Sequence, residues 1–93
     1  RAKIGNFNLI NTHADVEHDC VVGNYNSISP KVTLCGGVTL GDRNLLGAGA
    51  TVIPRMTIGD SNVIAAGATI ISTVRDYTLV AGVPGVVKKT LLD

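Results

Sequence analysis

A branched aliphatic residue recurs at every sixth position of this chain, and that period constrains its fold more than anything else in it. Counting from Ile4 gives Ile10, Val16, Val22, Ile28, Leu34, Leu40, Leu46, Val52, Ile58, Ile64 and Ile70, with no slip. Val, Ile and Leu make up 28 of the 93 residues, so chance agreement at all twelve positions is roughly a few in a million. Four positions after each aliphatic lies a second column of mostly smaller residues: Asn8, Ala14, Cys20, Asn26, Val32, Val38, Asn44, Ala50, Met56, Asn62, Ala68 and Val74. The position directly after the aliphatic is Gly at 5, 23, 41, 47 and 59, where a backbone turn or a close approach would favour it.

A period of six is unrelated to the 3.6 of an amphipathic helix. Over 46–58 the apolar spacing admits a local helical reading, but Gly47, Gly49, Gly59, Pro54 and the frequent Val, Ile and Thr oppose it. Hexads of this kind form short parallel strands joined by turns, three to a triangular coil. The chain is therefore expected to be all-β, a single-stranded parallel β-helix of about four coils: 4–21, 22–39, 40–57 and 58–75. Residues 1–75 form the β-helix. Residues 76–93 leave the register as a C-terminal cap or tail of the same domain. In that tail Leu79-Val80-Ala81 is a strand candidate and Gly82-Val83-Pro84-Gly85 a bend. Val86, Val87, Leu91 and Leu92 around Lys88-Lys89 suggest an extended or short helical end that covers the open prism. The opposite end, at Ile4 and Ile10, has no visible cover.

Composition agrees with a solenoid, which needs one aliphatic per short strand rather than an aromatic core. There is no Trp, one Phe and two Tyr. A net charge of +1 gives no global signal for nucleic acid or acidic membranes. No apolar run approaches the ~20 residues of a bilayer span. The chain begins at Arg1, without a Met or a signal peptide, and reads as a segment. Two cysteines suit a reducing, cytoplasmic setting, with Cys20 in the inward column as a small hydrophobe. A Cys20–Cys35 disulfide is the alternative.

One stretch departs from the plain structural formula: Val16-Glu17-His18-Asp19-Cys20. An imidazole beside a carboxylate is the minimal general base, because the carboxylate orients the ring and stabilises the imidazolium formed on proton uptake. The competing reading is a solvated surface histidine among charges. His13, five residues earlier, is the only other histidine. A zinc site needs a third converging ligand, so no metal is expected, and an enzyme of the γ-carbonic anhydrase type, which wants three histidines, is poorly matched.

The chain resembles the C-terminal β-helix of the sialic acid O-acetyltransferase family, which includes sugar-nucleotide N-acetyltransferases. The residues that carry the resemblance are Asn11-Thr12, Val16 to Gly23, Ile28-Ser29-Pro30, Gly36-Gly37-Val38, Leu46 to Val52, Ala66 to Thr69 and Gly82-Val83-Pro84. It implies a left-handed β-helix and a homotrimer. It also implies catalytic roles for His18 as general base and for Asp19, which raises the basicity of the imidazole. Acetyl-CoA would lie in a groove between subunits, with Ser27, Gly36, Ala48 and Ala66 as cofactor-binding positions. His18 and Gly36 are eighteen apart and should stack on one edge; Ala48 and Ala66 are also eighteen apart and should stack on another. Three-fold packing would bring those edges together. Two departures stand out. Relatives often carry a second histidine where this chain has Ser27, and the usual ending after Pro reads Gly85-Val86, leaving Arg75, Lys88 or Lys89 as candidates for CoA phosphates.

The expected function is thus acetyl-CoA-dependent transfer of an acetyl group to an amino or hydroxyl group of a sugar or sugar nucleotide. Backbone N–H groups near Gly36 are the candidates for holding the developing oxyanion. The alternative is a non-catalytic β-helical trimerisation module that lacks an N-terminal sugar-nucleotide-binding domain.

Overall fold

The computed structural model describes residues 1–92; the last residue of the expected tail, 93, lies outside the described residues. Each hexad contributes a strand of two residues: β1 (Lys3–Ile4), β2 (Leu9–Ile10), β3 (Asp15–Val16), β4 (Val21–Val22), β5 (Ser27–Ile28), β6 (Thr33–Leu34), β7 (Thr39–Leu40), β8 (Leu45–Leu46), β9 (Thr51–Val52), β10 (Thr57–Ile58), β11 (Val63–Ile64) and β12 (Thr69–Ile70). Every third strand stacks in parallel. β1, β4, β7 and β10 form the first face, β2, β5, β8 and β11 lie in the second, and β3, β6, β9 and β12 form the third. Partners differ by eighteen residues throughout, as in Ile4 with Val22 and Val16 with Leu34. The all-β solenoid of about four coils expected from the period is what the chain forms, consistent with a left-handed β-helix.

The aliphatic column makes the core. From Val22 to Ile70 its members are buried, and each sits above the equivalent residue of the coil below. Ile4 and Ile10, in the first coil, remain 48% and 38% exposed because no described residue covers them. The second column is not uniform; it sorts by corner. At the corner between the first and second faces it is Asn8, Asn26, Asn44 and Asn62, and these form a ladder. Asn8, Asn26 and Asn44 each accept through Oδ1 from the backbone N–H of the next asparagine, at 2.9 Å. Their Nδ2 groups donate at 2.8 Å to the carbonyls of Gly23, Gly41 and Gly59. Buried amides paired at both ends fix the stacking of coils as well as a hydrophobic contact would, and more directionally.

The glycines directly after the aliphatics serve close approach rather than a turn. A Cβ on Gly41 would stand 2.6 Å from the carbonyl oxygen of Gly59 in the next coil. The left-handed backbone falls two residues later, and non-glycine residues occupy it at Phe7, His13, Asp19, Tyr25, Lys31, Arg43, Arg55 and Ser61, with φ between 57° and 62°.

Register is lost between Ile70 and Val74. Val74, expected in the small column, instead bridges Ile58 as the next inward aliphatic, sixteen residues on. Two residues are missing from that turn, and the strand partners beyond it, Val63 with Leu79 and Ile64 with Val80, are offset by sixteen. Asp76 takes the place of Asp60 in accepting the N–H below it, and Thr78 takes the asparagine position above Asn62. The slip leaves Asn62 Nδ2 without a partner. Residues beyond it supply β13 (Thr78–Ala81), stacked in parallel on β11, and β14 (Val86–Thr90), folded back antiparallel on β13. The end of the tail is therefore extended, not helical. The turn between the two strands lays Gly85 over Ile70 and Val80, which are buried beneath it.

The ladder predicts a graded cost. Asn44→Ala leaves the Asn62 N–H and the Gly59 carbonyl without partners, and should destabilise the chain by about 2–4 kcal/mol in chemical denaturation. Asn8→Ala, in the half-open first coil where water can substitute, should cost under about 1.5 kcal/mol. Equal costs at the two positions would contradict a buried ladder.

Candidate functional site

His18 and Asp19 occupy the corner between the third and first faces, where the chain turns out of β3 and into β4. The His18 carbonyl accepts from the Gly37 N–H at 3.0 Å, and the Gly36 carbonyl accepts from the Arg55 N–H at 3.0 Å. These bonds stack three successive coils at this corner, so that Glu17, His18, Asp19, Gly36, Gly37, Pro54 and Arg55 line one shallow hollow of about 410 Å³.

The imidazole rests against Gly36. A Cβ there would stand 2.7 Å from Cε1 and 2.9 Å from Nε2 of His18, so glycine is what lets the ring rest on the backbone. Nδ1 lies 3.3 Å from Asp19 Oδ2, long for such a bond though within what an unliganded acid–base pair shows. Asp19, and not Glu17, is the carboxylate hydrogen-bonded to the ring. Both side chains are open to solvent, 76% for His18 and 73% for Asp19. With Nδ1 engaged by a carboxylate, Nε2 is the nitrogen left to take a proton.

Two nearby thiols take no part in such chemistry. Cys20 is buried and donates through Sγ to the Cys35 carbonyl at 3.1 Å. Burial, together with the charge of Glu17, pushes the Cys35 thiol up, away from a reactive thiolate. Both cysteines are free.

The structure brings His18, Asp19 and Gly36 together and keeps the other expected positions apart from them. Ala48 and Ala66 stack at the corner between the second and third faces, joined by the Gly67 N–H to the Ala48 carbonyl at 2.9 Å, and both are exposed. Ser27 lies on the flat second face, in β5, pairing with Leu9 and Leu45. Lys88 and Lys89 sit on β14, and none of Arg75, Lys88 or Lys89 lines the hollow. His13 stands at the corner shared by Ala48 and Ala66. Among the described residues the Gly36 N–H has no backbone acceptor. No cluster of three metal-ligating side chains occurs among the described residues, and no helix among them is long and apolar enough to cross a membrane.

One lining residue, Arg55, does not stand out from the sequence pattern. The signal was present, since it lies eighteen residues beyond Gly37 and thirty-six, or two coils, beyond Asp19.

No protein-family model and no curated protein matches the chain. Solved structures do. PerB from Caulobacter crescentus, in complex with CoA and GDP-perosamine, superposes with a TM-score of 0.93 at 41% identity, over 95% of this chain and 42% of that one. A histidine-to-alanine mutant of GDP-perosamine N-acetyl transferase from Caulobacter crescentus, also with CoA and GDP-perosamine, gives 0.87 at 37% identity, again over 95% and 42%. Neisseria gonorrhoeae serine acetyltransferase in complex with serine gives 0.84 at 30% identity, over 91% of this chain and 39% of that one. The chain thus spans under half the length of each of these proteins.

Gly36→Ala tests the seat of the ring. The new Cβ meets only the end of a mobile side chain, so stability should change by less than about 1 kcal/mol. The imidazole must nonetheless lift from its place, which NMR of the His18 ring would register as altered ring shifts. Unaltered ring shifts would mean that His18 does not rest on Gly36.

Proposed function

We propose, from a chain whose β-helix is that of the hexapeptide-repeat sugar N-acetyltransferases, that it carries the acetyl-transfer site of an acetyl-CoA-dependent enzyme acting on an amino or hydroxyl group of a sugar or sugar nucleotide. The observation that carries this reading is the His18–Asp19 pair resting on Gly36 in an open hollow. Such a pair does little for the fold, because it buries nothing and an exposed contact of this kind contributes little to folding.

His18 Nε2 takes the proton from the acceptor amine or hydroxyl as that group attacks the thioester carbonyl of acetyl-CoA; the C–S bond then breaks, and the imidazolium gives the proton to the sulfur so that coenzyme A leaves as its thiol. Asp19 stabilises the imidazolium and holds the ring with Nε2 outward. The Gly36 N–H donates to the carbonyl oxygen as negative charge grows on it. Acetyl-CoA fits the residues present: Gly36 and Gly37 on one corner and Ala48 and Ala66 on the other offer bare backbone to an extended pantetheine arm, with Ser27 as a further contact. Because one prism keeps these corners apart, the site is read as shared between copies in a homotrimer, one supplying His18 and its neighbour supplying Ala48 and Ala66. The acceptor is taken to be a sugar or sugar nucleotide, because the more similar structures hold GDP-perosamine and the less similar one holds serine. The setting is read as cytoplasmic.

General-base catalysis contributes ~10²–10⁴-fold. His18→Ala should lose turnover by about that factor while CoA binding and assembly persist. Asp19→Asn should lose less, since it only loosens the ring. Full turnover in His18→Ala would remove the base from the mechanism. A chain that binds no acetyl-CoA in a calorimetric titration at millimolar concentration would instead be a trimerisation module.

A further inference from the structure

Arg55 sits in the same hollow as His18, two coils further along the axis. With rungs ~4.8 Å apart, its backbone stands about 10 Å from that of Asp19. Its placement repeats that of His18. Gly36 seats the imidazole from the coil below, and Gly37 seats the arginine stem from the coil above: a Cβ at Gly37 would stand 3.0 Å from Arg55 Cγ. Two adjacent glycines thus hold one side chain each and present both to a single cavity.

The guanidinium has no carboxylate to answer it. Among the described residues Arg55 makes no ion pair, although Glu17 and Asp19 line the same hollow. The hollow therefore carries carboxylates and an imidazole at one end and an arginine without a carboxylate partner at the other. A ligand that carries its reacting group at one end and negative charge at the other would enter in one direction only.

We propose that Arg55 binds the diphosphate of a substrate and so aligns that substrate with His18. The inference rests on the acetyl-transfer reading and extends it. A diphosphate is common to CoA and to a nucleotide-linked sugar, and a planar guanidinium that stays charged pairs with phosphate oxygens through two donors. Arg75, Lys88 and Lys89, the basic residues near the end of the chain, do not face this hollow.

Arg55→Gly is the informative variant. Arg55 has φ of 62°, a conformation glycine adopts without strain, so the fold should melt no lower than the parent. Titration calorimetry of both proteins with CoA, pantetheine, GDP and UDP separates the cases. The variant should bind CoA or the nucleoside diphosphates about tenfold more weakly or worse, bind pantetheine unchanged, and show a shallower dependence on salt. Loss confined to CoA assigns the contact to the acyl donor; loss confined to GDP and UDP assigns it to the acceptor. Arg55→Lys, keeping the charge without the fork, should fall between. If the parent binds CoA and the variant binds every diphosphate equally well, or loses pantetheine to the same extent, Arg55 is not the diphosphate ligand. A parent that binds neither CoA nor nucleoside diphosphates overturns the acetyl-transfer reading itself.

Discussion

Everything in this molecule depends on one hydrogen-bond rule: a strand N–H donates to the carbonyl seventeen residues ahead, in the coil above. Glu17 donates to Leu34, Cys35 to Val52 and Ile53 to Ile70, at 3.0 to 3.2 Å. The corners obey a matching rule, with Gly37 donating back to His18 and Arg55 back to Gly36. Because strands and corners are both laddered, a residue's position around the prism is set by its number modulo eighteen. Side chains far apart in sequence are placed by backbone bonding, and the aliphatic column then needs only to fill the space inside. The asparagine ladder adds a polar counterpart at one corner, where glycine at the close-approach position leaves its carbonyl open to the amide of the coil below.

Most of this was legible in the sequence, and for a physical reason. A six-residue aliphatic period has one compact solution, and its uninterrupted run from Ile4 to Ile70 left no freedom in register. The slip after Ile70 was not read, because Val74 satisfies the small column as well as it satisfies an inward strand position. Asp76 held the clue: the carboxylate column runs Asp42, Asp60, Asp76, with the last step short by two. The glycines after the aliphatics could have marked turns or close contacts, and the structure selects contact. The left-handed corner was hidden because so many non-glycine residues occupy it. Val86 to Leu92 could have been strand or helix until β13 offered it an edge.

The candidate site was partly legible. His18 stood out because its neighbours in the hexad formula are interchangeable, and counting by eighteen put Gly36 above it. What counting alone missed was the function of the second glycine. Gly37 looks like another small turn residue until the stem of Arg55 is seen lying on it. The same counting separates Ala48 and Ala66 from His18, and the structure keeps them on different corners. On the proposed reading, a site that uses both draws on two chains.

That requirement can be tested by mixing copies. His18→Ala removes the proposed base, and Ala48→Trp obstructs the opposite corner; each should be inactive alone. If the site lies between subunits, assemblies formed from equal amounts of the two variants regain acetyl transfer, to about a quarter of the parent level for random mixing, since each site needs one particular variant on each side. If no mixture recovers activity while mixed assembly is verified, neighbouring chains do not combine these two corners into one site.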